Sequence, residues 1–516
     1  MRKPQTNNKR LYVFGVFLLL VSSLVTYRLF TLTFIQHEAF AKAAQNQQTV
    51  PATRLAGRGN IYTYDQVLRE QRLAATNQKT ASEIKRVYPM GMLASHVLGF
   101  VGYSGYDRIG QYGVEGAYDE LLSGLQRTQK ASGNTTYSRV TQFFGLFKKD
   151  AEDMPVFPGV GASGGEDIVL TIDPTIQSYV ETRLDALLDR WDSPHGTIIV
   201  QDPATGAILA MASSPSFDPN AYRNFDLSDF PNPATQEVFE PGSSFKVFTM
   251  SAALNSGAVA PDTTYEDTGE VKIGTYTIRN FNEKANGLQT MRQVLEHSLN
   301  TGTIFAQRKT GDDAFLNYIV AFGFGQKTGI DLKGELPGNI GNLYEGRAIN
   351  FATASFGQGI AVTPLQLING YSAIANGGRL MKPYVVKEVL HADGTRTATK
   401  PTVLGAPITD RTATQMKTIL TGVVDRGFDK ARIKGYDVAG KTGTAQIPNK
   451  DGGYLENKQF IHDFVGFAPS YDPKFVVLIK MDKPKGITFA ADSLSPVFGD
   501  IAQFLIRYMK IAPTRS

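Results

Sequence analysis

An uninterrupted apolar run near the start of the chain limits what this protein can fold into. Residues 11–27 are 17 uncharged, mostly apolar residues. As a helix this run is about 25 Å long, just enough to cross the hydrocarbon core of a bilayer if Arg28 reaches the headgroups. A helix on the surface of a soluble domain would show a polar stripe, and residues 11–21 show none. The sequence therefore predicts one transmembrane helix over residues 11–28.

The charges that flank this run predict its orientation. Four basic residues precede it, Arg2, Lys3, Lys9 and Arg10, whereas the next basic residue after Arg28 is Lys42. The positive-inside rule places residues 1–10 in the cytoplasm and the rest of the chain outside. A cleaved signal peptide shares this pattern, but no A-x-A-like site follows the run closely. We expect an uncleaved signal-anchor and a single-pass protein of the cytoplasmic membrane.

Composition excludes several classes of function. With 516 residues, 42% of them hydrophobic, the chain can bury a core and is too apolar for disorder. Its net charge of +5 is mild, and no basic run contains interleaved aromatics, which argues against nucleic acid as a partner. It has no cysteine, and its six histidines show no paired spacing. We therefore expect no metal, and a nucleophile that is an oxygen or an amine.

The amino-acid composition of the chain changes near residue 165. A stretch rich in glycine and proline over 145–165 is typical of a linker. It separates a pedestal, 29–165, from a larger domain, 166–516. In the larger domain the patterns predict strands at 168–172, 196–200, 207–211, 464–467 and 475–479, and helices at 174–190 and from Ser495 as cap to 509. Strands at both ends of the domain and a helical middle predict an α+β fold with one mainly antiparallel sheet.

Three short motifs in this domain carry possible chemistry. They are S-x-x-K at Ser243 to Lys246, S-x-N at Ser298 to Asn300, and K-T-G at Lys441 to Gly443. Motifs this short recur by chance, and each has a second match, at 82–85, at 132–134, and at 309–311 and 327–329. Alone, the serines and the asparagine are more often helix caps. Only the context of each motif can choose between the matches.

The context favours Ser243 as a nucleophile. A Glu-Pro-Gly segment precedes it and an apolar run follows, which predicts a buried helix whose first turn holds Ser243. On that turn Ser243 and Lys246 share a face, and free backbone N–H groups point toward a developing oxyanion. Lysine acts as a base only when its pKa is depressed. We therefore expect Lys246 in a dry pocket beside Lys441.

The other two motifs also fit one cleft. Ser298 and Asn300 lie between two predicted helices, in a loop that can aim both polar side chains into a cleft. Lys441 lies among small residues typical of an edge strand that another backbone approaches closely. Lys309, by contrast, ends a helical run before a glycine, and Lys327 follows a glycine-rich turn.

A rival interpretation involves the same lysine. Residues 435–442 also satisfy G-x-x-x-x-G-K-[ST], the phosphate-binding P-loop. A P-loop requires a helix directly after Lys441 and Thr442, but the next eleven residues contain three glycines and a proline. The nucleotide-binding hypothesis is therefore the weaker one.

In this order the three motifs resemble those of the penicillin-binding proteins. Further segments, 167–173, 202–206, 355–366 and 463–469, look like class B, monofunctional transpeptidase sequence. The likeness covers about 167–510, and more thinly the pedestal, where Tyr62 to Gln66 departs from the family's usual Asp-Arg-Asn-Gly-like turn. The resemblance implies a penicillin-binding/serine β-lactamase-like α+β domain on an extended pedestal.

The resemblance also implies roles for individual residues. Ser243 would attack a D-Ala-D-Ala stem peptide and Lys246 would take its proton. Ser298 would relay a proton to the leaving amine, Asn300 would hold the substrate amide, and Lys441 would supply positive charge. Thr442, Gly443 and Thr444 would line the carboxylate subsite, with the N–H groups of Ser243 and Thr444 as oxyanion hole. No cofactor or metal is implied, and β-lactams would acylate Ser243 as substrate mimics.

Within class B, Asn300 and Glu240 resemble the septal, cell-division branch more than the elongation branch. The partners then implied are peptidoglycan stem peptides, a membrane-embedded SEDS-family glycosyltransferase and divisome proteins. Three alternatives stay open: an elongation transpeptidase, a D,D-carboxypeptidase or β-lactamase-like hydrolase, and a non-enzymatic divisome scaffold or β-lactam sensor. The hydrolases would share the motifs but pass the acyl group to water.

Overall fold

A computed structural model describes residues 8–31, 57–80, 84–104, 107–124, 164–427, 429–447, 449, 453–454 and 459–515. Three features predicted from the sequence lie outside these residues: the linker over 145–163, the alternative S-x-N match at 132–134, and Ser82 of the alternative S-x-x-K match. Most of the predicted cytoplasmic tail, residues 1–7, and parts of the predicted pedestal, residues 32–56 and 125–144, also lie outside them. All residues of the three selected motifs are described.

The described strands, in chain order, are β1 (Ile61–Asp65), β2 (Glu70–Lys79), β3 (Ile84–Val87), β4 (Phe100–Ser104), β5 (Asp107–Gln111), β6 (Asp167–Leu170), β7 (His195–Gln201), β8 (Ile208–Ser214), β9 (Thr264–Asp267), β10 (Glu270–Ile273), β11 (Tyr276–Arg279), β12 (Gly287–Thr290), β13 (Leu380–Met381), β14 (Val386–Leu390), β15 (Arg396–Ala398), β16 (Val403–Gly405), β17 (Ala439–Gln446), β18 (Phe460–Ala468) and β19 (Phe475–Asp482).

The described α-helices are α1 (Asn8–Phe30), α2 (Ser95–Leu98), α3 (Gly113–Ala117), α4 (Asp119–Ser123), α5 (Pro174–Trp191), α6 (Pro233–Gln236), α7 (Lys246–Asn255), α8 (Met291–Glu296), α9 (Asn300–Thr310), α10 (Asp312–Ala321), α11 (Gly341–Tyr344), α12 (Ala348–Ala354), α13 (Pro364–Ala375), α14 (Asp410–Gly427), α15 (Ala490–Ser493) and α16 (Ser495–Tyr508).

Helix α1 contains the predicted transmembrane run. Its segment Tyr12–Phe30 has a mean hydropathy of 2.0 and is long and apolar enough to cross a membrane. None of this segment is buried against the rest of the described chain. An apolar surface that no described residue covers is suited to a lipid environment.

A buried ion cluster stabilises the pedestal. The Arg58 guanidinium lies 2.5 Å from the Glu115 carboxylate and 2.8 Å from that of Asp119. Arg86 approaches the other oxygen of Glu115 at 2.7 Å. Buried charges persist only when they are paired, and removing one partner typically costs 3–5 kcal/mol. The cluster therefore holds β3 to α3 and α4 in one arrangement.

Five antiparallel strands form the central sheet of the larger domain, in the order β17-β18-β19-β7-β8. Strands β7, β8, β18 and β19 are rich in apolar residues because both faces of the sheet are covered by helices. Phe464, Val477 and Leu505 belong to the core between one face and helices α5 and α16. Val465 and Leu478 belong to the core on the other face, together with α7, α13 and α14. The predicted α+β architecture is confirmed.

A second sheet joins distant parts of the chain. Its six strands lie in the order β15-β14-β6-β1-β2-β3. Pedestal strand β1 pairs in parallel with β6, which in turn pairs with β14. The sheet thus crosses the boundary near residue 165 that the linker composition suggested.

One predicted helix start is wrong. Ser495 was expected to be the N-cap of the final helix, but it is already the first residue of α16, and Leu494 occupies the cap position. The chain enters α16 from helix α15, so no extended residue precedes it to place a capping side chain. The Ser495 hydroxyl is buried without a hydrogen-bond partner among the described residues.

Candidate active site

Ser243 lies in a tight turn that leads directly into α7. The turn, Gly242–Phe245, is a 3₁₀ helix, and Lys246 begins the α-helix. Gly242 has a φ of 57°, and a Cβ there would lie 3.1 Å from the Cβ of Ala445 on β17. Only glycine combines this backbone with such a close approach. The Ser243 turn therefore packs against the strand that carries Lys441.

Lys246 occupies the dry pocket that its sequence context predicted. Its side chain is fully buried, and Nζ donates to the Ser298 carbonyl oxygen at 2.5 Å and to Ser298 Oγ at 3.3 Å. Burial, and then the positive charge of Lys441, lower the pKa of Lys246 well below its ordinary value. The amine is therefore suited to accept a proton. No hydrogen bond joins it to Ser243 within the described chain, and such bonds often tighten only when substrate binds.

Ser298 connects the two buried lysines. Lys441 Nζ donates to Ser298 Oγ at 3.0 Å, on the same oxygen that Lys246 approaches. Ser298 has a φ of 56°, in the left-handed region that non-glycine residues seldom occupy. The residue lies between helices α8 and α9, and buried Leu299 anchors the loop. Backbone strain at this position aims the hydroxyl at both amines.

The K-T-G segment lies on edge strand β17, not in a loop before a helix. Lys441 is fully buried, and its Nζ also donates to the Thr442 carbonyl oxygen at 3.2 Å. Burial lowers the pKa of Lys441 to about 7, and Asp463 opposes that shift. Since no helix follows Lys441 and Thr442, the P-loop interpretation is wrong.

Gly443 and Thr444 fit closely against neighbouring elements. A Cβ at Gly443 would lie 2.0 Å from Asp463 Oδ2 and 2.4 Å from the Pro241 carbonyl oxygen, so no side chain fits there. Thr444 Oγ1 accepts a hydrogen bond of 3.1 Å from the Ala490 N–H. Side chains alternate along a strand, so Thr442 and Thr444 face away from Lys441 and Gly443.

Asn300 begins helix α9 at the rim of the site. Its Nδ2 donates to the Arg279 carbonyl oxygen at 2.9 Å. Behind it, the buried Asp267 carboxylate accepts bonds of 2.7 Å from Thr301 Oγ1 and 3.0 Å from Asn280 Nδ2. Burial alone would raise the pKa of Asp267, but these donors and Asn286 lower it. Asp267 was not among the predicted site residues, because its local signal in the sequence is no more than the turn Asp-Thr-Gly.

The alternative K-T-G matches lie away from this cluster. Lys309 is exposed in the last turn of α9, which ends at Gly311 as predicted. Lys327 is exposed in the glycine-rich turn after α10. The structure therefore brings together Ser298, Lys246 and Lys441, with Ser243 on the adjoining turn.

The arrangement contains the groups that serine acyl transfer requires. It combines a hydroxyl at a helix start, an amine with a depressed pKa, a hydroxyl between two amines, and a strand edge with N–H groups. These parts can activate a nucleophile and stabilise an oxyanion without a metal ion.

Comparison with known families agrees with this class. A model described as the penicillin-binding protein transpeptidase domain matches residues 196–503, and one described as the penicillin-binding protein dimerisation domain matches 64–141. The chain belongs to the penicillin-binding protein transpeptidase family, and the two domains together are those of its class B.

Named relatives and a solved structure are similar over most of the chain. Stage V sporulation protein D of Bacillus subtilis is 36% identical over 84% of this chain and 66% of its own length. A probable peptidoglycan D,D-transpeptidase, PenA of Neisseria meningitidis, is 28% identical over 84% and 70%. Penicillin-binding protein 3 of Mycobacterium tuberculosis superposes with a TM-score of 0.75 at 28% identity, covering 89% of this chain and 97% of that one. The chain spans just under two thirds of the length of the first curated relatives it matches.

Proposed function

We propose that this protein is a peptidoglycan D,D-transpeptidase that works through a serine acyl-enzyme. Ser243 Oγ attacks the carbonyl between the two D-alanines of a stem peptide, and its proton passes to Lys246. The C–N bond breaks, and D-alanine leaves after its amine gains a proton. An amine from a neighbouring stem peptide then attacks the ester, forming the cross-link and freeing Ser243.

One observation supports this proposal above the others. Two fully buried lysines, one from α7 and one from β17, both donate to Ser298 Oγ. A hydroxyl between two amines is suited to carry a proton from Lys246 to the leaving amine of D-alanine. A pair of lysines serving only stability would not be buried together, because like charges in a dry pocket are costly.

We assign the remaining residues the roles that the family resemblance implies. The Lys441 charge attracts the terminal carboxylate of the stem peptide. The subsite for this carboxylate is lined by Thr442, Gly443 and Thr444. The Asn300 amide holds the substrate amide at the rim, and the N–H groups of Ser243 and Thr444 stabilise the oxyanion. The protein uses no cofactor or metal in this scheme. The M. tuberculosis relative has been crystallised with ampicillin and with aztreonam, which supports β-lactams as ligands here.

We further propose a role in septal wall synthesis. Asn300 and Glu240 favour the cell-division branch, and helix α1 anchors the protein with residues 1–10 in the cytoplasm. The anchor is then residues 11–28, the pedestal is residues 29–165 and the catalytic domain is residues 166–516. The partners are a SEDS-family glycosyltransferase and divisome proteins. Depletion in the native host should give filaments, whereas rounded or swollen cells would indicate an elongation role.

Mass spectrometry tests the acyl-enzyme directly. The full chain in detergent is incubated with a penicillin, digested and analysed for an adduct on the peptide that holds Ser243. We expect one adduct per chain that persists for many minutes, and none in Ser243→Ala. Ser244→Ala is the matched control, since Ser244 Oγ donates to the Pro241 carbonyl oxygen at 3.0 Å and is buried.

The lifetime of the adduct separates the alternatives. An adduct that vanishes quickly would show a hydrolase of the carboxypeptidase or β-lactamase kind. No adduct on folded protein would contradict the proposal and favour the scaffold interpretation. A stable adduct on Ser243, followed by release of D-alanine from a stem peptide only when an acceptor amine is present, would support transpeptidation.

A further inference from the structure

A buried carboxylate that the mechanism above does not use lies on the strand next to Lys441. Asp463 is on β18, directly across from Gly443 on one side and from Lys480 on the other. It is completely buried, as is Lys441. Cross-strand partners share a face of the sheet, as do residues two apart. Asp463 therefore lies on the face from which Lys441 reaches Ser298.

Polar groups from four elements face this carboxylate. They are Lys441 on β17, Lys480 on β19, Ser244 in the nucleophile turn and Tyr371 on α13. Tyr371 Oη donates to the Ser244 carbonyl oxygen at 2.7 Å, and so holds the turn that carries Ser243 against α13. Lys480 in turn lies near Asp482 and, at 3.9 Å, Glu237.

The Asp463 carboxylate also lies at the junction of the two catalytic segments. The position that a Gly443 Cβ would take is 2.0 Å from Asp463 Oδ2 and 2.4 Å from the Pro241 carbonyl oxygen. The carboxylate therefore fits beneath the K-T-G strand, at the start of the turn that carries Ser243. Neither carboxyl oxygen accepts a well-formed hydrogen bond from the described residues.

A buried carboxylate without such bonds is costly, so its neighbours must compensate. Lys480 does not need Asp463 to balance its positive charge, because the Asp482 carboxylate lies 2.6 Å from the Lys480 ammonium. Lys441 donates, among its contacts, to the neutral oxygens of Ser298 and Thr442, and the negative charge of Asp463 acts on it. The charge of Asp463 therefore acts on Lys441 as well as on Lys480.

We propose that Asp463 is a positioning residue for acyl transfer, whose carboxylate keeps the Lys441 side chain cationic and directed at Ser298 and the substrate carboxylate. This inference rests on the proposed function, because it assigns a role at the same site. Asp463 touches no substrate, and it acts only through Lys441.

The pH dependence of acylation follows from this arrangement. Burial raises the pKa of Asp463 to about 7, and Lys441 and Lys480 oppose the rise. Burial lowers the pKa of Lys441 to about 7, and Asp463 opposes that change. Without the carboxylate the pKa of Lys441 falls further, so the cation is lost at lower pH. The alkaline limb of the acylation profile should move down with it.

The test compares Asp463→Asn with the wild-type full chain in detergent. Second-order acylation by a fluorescent penicillin is measured between about pH 5.5 and about pH 9.5. We expect the alkaline limb to shift down by about one unit, making acylation about tenfold slower near pH 8.5 and little changed near pH 6. The loss should come from weaker penicillin binding, with the rate at saturation less affected.

Asp331→Asn is the matched control. Asp331 is a half-buried carboxylate, which accepts bonds from the Val385 and Val386 N–H groups and not from Lys246 or Lys441. The Asp331→Asn variant should have a lower melting temperature but the same alkaline limb of the acylation profile as the wild type. Asp463→Ser, a smaller variant, serves if Asp463→Asn does not fold.

The outcomes separate the two proposals. A folded Asp463 variant with an unshifted limb, or one slowed equally at every pH, would overturn the inference. Wild-type protein that forms no adduct at any pH would instead overturn the proposed function.

Discussion

At the scale of single residues, the proposed mechanism depends on one lysine, Lys246, that burial deprives of its usual charge. Lys246 is completely buried, and its amine is held by Ser298. An arginine could keep a hydrogen bond to Ser298 but would stay protonated at any working pH. In the proposed mechanism, the role of position 246 therefore depends on the loss of a proton.

Lys246→Arg should nearly abolish acylation and lower the melting temperature, because it fixes a positive charge in a dry pocket beside Lys441. A lost general base typically costs a factor of 10² to 10⁴ in rate, so penicillin acylation should fall by about a thousandfold. The rate is measured with a fluorescent penicillin, and folding by thermal melting. Lys309→Arg, at an exposed lysine of a discarded K-T-G match, is the control and should behave as wild type. Wild-type acylation by Lys246→Arg would remove this residue as the base.

Gly443→Ala tests the close packing beneath the K-T-G strand. The added methyl would meet Asp463 Oδ2 at 2.0 Å and the Pro241 carbonyl oxygen at 2.4 Å. Because backbone must move, we expect about 1–3 kcal/mol of destabilisation and at least about tenfold slower acylation. Gly405→Ala, where nothing lies within 4 Å, is the control. Equal melting temperatures for the two variants would contradict this account.

Some site residues could be predicted from the sequence and others could not. Ser243 and Lys246 share one turn, so helical periodicity and the flanking Pro-Gly and apolar run were enough to select them. Asp463 and Tyr371 reach the same site from β18 and α13, and no local pattern marks them. Their contribution depends on strand register, which is a property of the assembled sheet.

At the scale of elements, a short helix positions Ser298. Thr290 Oγ1 accepts from the Gln293 N–H, and Gln293 Oε1 accepts from the Thr290 N–H at 2.9 Å, which forms a capping box at the start of α8. Helix α8 ends two residues before Ser298. A well-defined start of α8 therefore helps to fix the strained loop at its other end.

Thr290→Ala should loosen this loop. Loss of an N-cap costs about 1 kcal/mol, so the melting temperature should drop by a few degrees. Acylation should slow by more than the small fraction of unfolded protein would explain, because the Ser298 hydroxyl would be less well placed. Thr418→Ala, at an exposed position within α14, provides the comparison. If both variants acylate at the wild-type rate, the cap has no part in positioning Ser298.

The sequence predicted the central sheet better than the second one. Strands β7, β8, β18 and β19 are rich in apolar residues, and the predicted hairpin at 196–211 is confirmed with slightly longer strands. Strand β1 instead pairs with β6, more than 100 residues further along the chain. Alternation along a strand indicates which face is buried but not which partner lies beside it.

At the scale of the whole molecule, two buried histidines make stability depend on pH. His96 and His462 are almost fully buried, and burial lowers the pKa of each to about 4. The unfolded chain binds protons near pH 6.5, so it takes up more protons than the folded state between about pH 6.5 and about pH 4. Stability is present above that window and is lost as the pH falls through it.

His462→Gln should reduce this acid sensitivity. Each histidine contributes roughly 1–3 kcal/mol of pH-dependent stability, so the drop in melting temperature from about pH 7.5 to about pH 5 should become smaller in the variant. Melting is followed by circular dichroism on the full chain. His195→Gln, at an exposed histidine, should leave the drop unchanged. An undiminished drop in His462→Gln would assign the effect to other groups.

The sheet shared by pedestal and catalytic domain affects how the protein can be divided. Strand β6 takes its hydrogen bonds from β1 on one side and from β14 on the other, and Tyr508 Oη on the last helix donates to Asp65 at the end of β1. A fragment starting at residue 166 would leave β6 as a bare, apolar edge, the kind of surface on which chains stack and precipitate. Because β1, β6 and β14 are hydrogen-bonded to one another, a force applied to the pedestal near the membrane would be transmitted to the catalytic domain through these paired strands.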